Sequence, residues 1–92
     1  MLKLADKRLS KLGFKKIKEN EYGALYERYI NEFKYTQVLH IASKESGYHL
    51  IMSYDKDLFD KNFIGNVGVG LTLYEAKIAL RKAKELGFKI KK

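Results

Sequence analysis

The chain has 92 residues, 46% of them hydrophobic, with 19 Lys and Arg against 11 Asp and Glu and a formal charge of +8. That length predicts one domain with one small core, burying roughly 60–65% of the unfolded surface. There is no cysteine, so disulfides and Cys-based zinc or redox sites are excluded. No apolar run nears the ~18 residues of a membrane span and the first residues lack a signal peptide's apolar stretch, so a globular, cytoplasmic protein with no membrane partner is expected.

In chain order, Leu2, Ala5, Leu9 and Leu12 recur at i, i+3, i+7 and i+10, one stripe of a helix, with Lys3, Lys7 and Lys11 on another face. Gly13 is placed to stop that helix in the left-handed conformation, and Phe14 to pack back on Leu9. Strand candidates follow at 14–19, 22–30, 35–43 and 48–54, the first with only two apolar positions. Lys44-Glu45-Ser46-Gly47 predicts a hairpin turn between the last two.

If Ser43 faces Tyr48, one hairpin face carries Leu39, Ile41, Tyr48, Leu50, Met52 and Tyr54. The other carries Thr36, Val38, His40, Ala42, His49, Ile51 and Ser53. The first face is then the core face that the helices cover, and the second stays open. A turn one residue longer swaps the faces of one strand.

Residues 55–71 read as a long connection, with Val67 and Val69 alternating with glycines as a short edge strand would. Beyond it, Thr72 and Glu75 make a capping box with Leu71 and Ala76 as its apolar staple. Leu73, Ala76, Ala79, Leu80, Ala83 and Leu86 are the expected buried stripe of the last helix, leaving Tyr74 and Ile78 outside. Leu86-Gly87-Phe88 repeats Leu12-Gly13-Phe14, the same helix stop used twice.

Sites for chemistry are sparse. No Gly-x-Ser-x-Gly elbow accompanies the serines, so no catalytic residue is assigned and no enzyme is expected. His40 and His49 share a face in the expected register but lack a carboxylate to complete a metal site. Asp55, Asp57 and Asp60 resemble a cation loop, yet an EF-hand needs glycine sixth and glutamate twelfth, where Asp60 and Asn66 stand. Gly65, Gly68 and Gly70 have neither the dinucleotide spacing nor the Gly-Lys-Ser/Thr of a P-loop. No metal and no cofactor is therefore expected.

The charge is the remaining signal. Residues 1–18 carry a net of +6, residues 75–92 a net of +5, and the segment between them −3. Lys77, Arg81 and Lys84 fall on one helix edge. Two cationic ends opposing an acidic middle suit an anionic partner.

Two resemblances bear on that partner. The order helix, antiparallel strands, helix resembles the double-stranded-RNA-binding domain, as does Gly68-x-Gly70-x-Thr72 followed by Ala76-Lys77. The family's two opening lysines are Leu73 and Tyr74 here, and its Gly-Pro-x-His loop is missing. The runs Leu-Gly-Phe…Glu-Tyr-Gly-Ala-Leu-Tyr-Glu (12–27), Ser-Gly-Tyr-His-Leu-Ile-Met-Ser-Tyr (46–54) and Val-Gly-Val-Gly-Leu-Thr-Leu-Tyr-Glu-Ala-Lys (67–77) resemble small uncharacterised accessory proteins of phages and prophages of Gram-positive bacteria. That second resemblance implies a cytoplasmic accessory protein in a bacterial host and transfers no catalytic residue.

The sequence therefore predicts an α+β domain spanning residues 1–92: an antiparallel sheet of three or four strands with the N- and C-terminal helices packed on one face. It is expected to bind nucleic acid or a host nucleoprotein complex through Lys3, Lys7, Lys11, Lys77, Arg81, Lys84 and Lys89. The alternative is a protein-targeted inhibitor of a host defence or replication machine, such as an anti-CRISPR. Its patch would be Val38, His40, His49 and Ile51, or Tyr74 with Ile78. A double-stranded-RNA-binding-like domain is the second alternative.

Overall fold

A computed structural model describes residues 4–44 and 47–89. Helix α1 (Leu4–Lys11) leads into four strands, β1 (Lys15–Asn20), β2 (Gly23–Ile30), β3 (Tyr35–Ser43) and β4 (His49–Asp55). A short helix α2 (Lys56–Asp60) and a long helix α3 (Leu73–Glu85) follow. The strands form one antiparallel meander in sequence order. Both α1 and α3 lie on one face of it, closing a core of Ala5, Leu9, Phe14, Ala24, Tyr26, Leu39, Ile41, Ile78, Ala79 and Ala83. The fold is α+β with four strands, and no helix among the described residues is long and apolar enough to cross a membrane.

Both helix stops form as the sequence predicts. Gly13 and Gly87 take φ of 95° and 85°, a region that a side chain disfavours. At the first, the Phe14 N–H donates to the Leu9 carbonyl and the Gly13 N–H to that of Ser10. At the second, Phe88 donates to Ala83 and Gly87 to Lys84. This paired pattern is the Schellman motif, and each phenylalanine returns to the core.

Three expectations need correction. In the hairpin, Ser43 faces His49 and not Tyr48, because the turn is one residue longer: the Lys44 N–H donates to the Tyr48 carbonyl, and Gly47, at φ 86°, donates to the Lys44 carbonyl. The faces of β4 are therefore exchanged. Ile51 and Ser53 lie beside Ile41 and Leu39 on the helix side, while Leu50, Met52 and Tyr54 join Val38, His40 and Ala42 on the far side.

The second correction is the roll of α3. Ile78 is core at 1% exposure, whereas Leu73 is 91% exposed and Leu80 also reaches solvent. The inward residues are Glu75, Ile78, Ala79, Lys82 and Ala83. The helix turns its charged Glu75 and Lys82 inward because their partners, Arg28 and Asp6, lie beneath it.

Thirdly, the 55–71 connection opens with a helix, α2. Asp55 caps α2, its carboxylate accepting from the N–H groups of Asp57 and Leu58. The edge strand is reduced to a single bridge, Tyr54 with Gly68, flanked by hydrogen bonds from Asp55 to Val67 and from Val69 to Ser53.

Candidate nucleic-acid interface

Two charged systems lie between and upon the helices. The inner one centres on Asp6. Its carboxylate accepts from the Tyr26 hydroxyl, from Lys16 Nζ at 3.1 Å and from Lys82 Nζ at 3.1 Å. Lys82 Nζ also reaches Glu19 Oε1 at 2.6 Å, and Lys16 meets the same oxygen at 3.3 Å.

A β-bulge makes this cluster. Lys16 pairs with Tyr26 and Glu19 with Ala24, so residues three apart point to the same face across the irregularity at Ile17. Burial opposes ionisation of Asp6, but the hydrogen bonds from Tyr26, Lys16 and Lys82 outweigh it and hold the carboxyl below its ordinary range. Burial, reinforced by Asp6, pushes the Tyr26 phenol far up, so it stays a donor.

A second buried link joins β2 to α3. Arg28 donates to Glu75 Oε2 at 2.8 Å, to Gln37 Oε1 at 2.7 Å and to the Leu12 carbonyl at 3.1 Å, with its guanidinium 4.2 Å above the Phe14 ring. Glu75 Oε1 accepts from the Thr72 N–H while Thr72 caps the Glu75 N–H, the predicted capping box. Burial opposes the charge on Glu75, and the Thr72 N–H and Arg28 overcome it, lowering its pKa.

Glu85 completes the inward set, accepting from the Ala5 N–H and from Arg81, both at 3.3 Å. Thus Asp6, Glu75 and Glu85, the three acids of α1 and α3, all bond within the protein.

The outer system is cationic. Arg8 of α1 joins Lys77, Arg81 and Lys84 of α3 around a groove of about 350 Å³ floored by Ile78 and Leu80. Lys7 and Lys11 are also exposed on α1. Among the described residues, none of Lys7, Arg8, Lys11, Lys77 and Lys84 forms an ion pair. Lys3 lies outside the described residues.

Lys89 stands apart. It lines a cleft with Phe88, His49, Ile51 and Leu80, where the His49 and Phe88 rings stack at 4.6 Å and 7°. Arg8 escapes the sequence reading because its place beside Lys77 depends on how α1 meets α3. Lys82 counts toward the basic C-terminal segment but is buried; its place between Ala79 and Ala83 on the inner stripe was the available signal.

The alternative patch does not form. Val38 is buried at 2% exposure, on the face that α2 partly covers. His40 lies on that face, whereas His49 and Ile51 lie on the helix side because of the register. Tyr74 is exposed but its expected companion Ile78 is core. Among the described residues no three His, Asp or Glu side chains come together as metal donors. No family model, curated protein or solved structure matches the chain.

Proposed function

We propose that this protein is a non-catalytic, cytoplasmic accessory binding protein of the phage type, acting on nucleic acid or a host nucleoprotein complex through the outer face of α1 and α3. One observation carries the reading: the acids of both helices are consumed internally, while cations from both converge on one groove. Such a face attracts phosphates, each neutralised phosphate adding about 0.9 to the salt dependence on duplex DNA.

The test is binding to random duplex and single-stranded DNA and RNA at about 50 and about 200 mM salt. Lys77→Glu with Lys84→Glu is expected to weaken binding at least tenfold and to reduce the salt slope by about 2. Absence of binding, or binding indifferent to salt, overturns the reading. A marked preference for duplex RNA would favour the double-stranded-RNA-binding-like alternative.

A second reading, a protein-targeted inhibitor of a host defence or replication machine, draws on Leu73 and Tyr74, both exposed at the start of α3 beside the cationic groove. A partner retained from a nuclease-treated Gram-positive lysate, with no binding to any of the nucleic acids above, would favour it.

A further inference from the structure

The sheet face opposite α1 and α3 is only half covered. Helix α2 lies over the end near Val38 and Tyr54, where Lys56 Nζ meets Glu27 at 3.3 Å. Beyond it, one row runs across all four strands: Lys18 pairs with Leu25, Leu25 with His40, and His40 with Met52.

His40 is shared by two adjoining hollows. One, of about 630 Å³, is walled by Met52, Tyr54, Phe59 and Val67 and has Lys44 among its lining residues. The other, of about 210 Å³, holds Leu25 and Lys18. No Asp or Glu lines either. Neither Lys18 nor Lys44 forms an ion pair among the described residues. Burial first, then the charges of Lys44 and Lys18, hold the His40 imidazole below its ordinary pKa, so both lysines' fields reach the middle of the row.

An apolar floor with a positive field at its His40 end, and the Asp60 and Glu27 charges felt only at Tyr54 on the α2 side, selects its occupant. A second copy of this chain would bring the same lysines together, a like-charge contact that opposes association. A single-stranded nucleic acid reads a sheet by stacking on flat rings, but Leu25 and Met52 flank the imidazole in this row, and the nearest rings, Tyr54 and Phe59, pack against each other at 4.8 Å and a 37° tilt. A polypeptide offering an apolar side chain beside carboxylates meets both features.

We propose that this groove docks a short acidic and apolar segment of a partner protein. An apolar side chain seats against Met52 and Phe59, and Asp or Glu carboxylates meet Lys18 and Lys44. The site lies on the opposite face of the sheet from the cationic helices and does not depend on their proposed role.

The test is selection of a random peptide library displayed on phage against the full chain, with the selected peptides then synthesised. Enriched sequences should combine Asp or Glu with large apolar residues. Bound peptide should perturb the NMR signals of His40, Met52 and Phe59 and raise the His40 pKa, because a carboxylate offsets the two lysines. Lys18→Glu with Lys44→Glu should weaken the peptide at least tenfold, Lys18→Gln with Lys44→Gln less, and Lys77→Glu with Lys84→Glu less than twofold. An unchanged fold in the reversed variant is checked by its remaining amide spectrum.

The proposal is overturned if no sequence is enriched, if enriched peptides lack carboxylates, if perturbations fall on α3, or if charge reversal leaves affinity intact. Displacement of the peptide by an oligonucleotide, lost on reversing Lys18 and Lys44, would assign the groove to nucleic acid instead.

Discussion

Lys82 and Lys84 stand two residues apart in α3 and meet opposite surroundings. Lys82 is 1% exposed and held between Asp6 and Glu19; Lys84 is exposed on the rim of the cationic groove. The inner cluster of Lys16 and Lys82 with Asp6 and Glu19 carries no net charge, so two of the basic residues that make the chain's ends cationic are already matched by carboxylates. Net charge is a property of composition. What a partner meets is the part of it that packing leaves outside.

The largest effect that sharpens this contrast is expected at Asp6. Asp6→Asn leaves Lys82 buried with Glu19 as its remaining carboxylate partner and should cost about 1.5–3 kcal/mol in urea denaturation. Adding Lys82→Met removes the buried charge now held by Glu19 alone, so the double variant should be more stable than Asp6→Asn alone. A double variant worse than the single one would break the contrast, since the cluster would then act by packing and not by charge.

The next effect is with pH. Asp6, Glu19 and Glu75 are all held below their ordinary values of 3.8, 4.5 and 4.5. A lowered folded pKa means that their stabilisation is complete above those ordinary values and is lost as pH falls through the lower folded ones. Tm should therefore ease slightly below about pH 6.5, where the unfolded chain takes up a proton that the lowered His40 resists, and fall more steeply below about 4.5, where Asp6→Asn should fall less steeply than the parent. The smallest effect is expected outside. Lys77→Gln with Lys84→Gln should leave the denaturation midpoint unchanged, because neither side chain holds an internal ion pair. A clear shift would show that the outer cations serve the fold.

Local chemistry was legible and long-range chemistry was not. The Thr72–Glu75 capping box, both glycine stops and the four strands follow from neighbours within a few residues, and all are present. For the roll of α3, apolar periodicity points Leu73 and Leu80 inward, while the helix is oriented by Glu75 on Arg28 and Lys82 on Asp6, partners 47 and 76 residues away. The hairpin register differs from the expected one by one residue, enough to exchange the faces of β4 and to divide the expected His40–His49 patch. Of the candidate site, Lys77, Arg81 and Lys84 were legible from helical spacing. Arg8 beside them was not, since it arrives from the other end of the chain.

The Asp6–Lys82 bond also bears on the order of assembly. The hairpins of the meander close over short spans, whereas this bond must close a span of 76 residues. Loop-closure entropy then favours a sheet that forms ahead of its helical layer, with the first and last helices docking onto it late. An interaction made after the folding barrier does little to hasten folding and much to slow its reversal. The buried lysine is thus a latch on a finished structure, and its strength is felt in how long the protein stays folded.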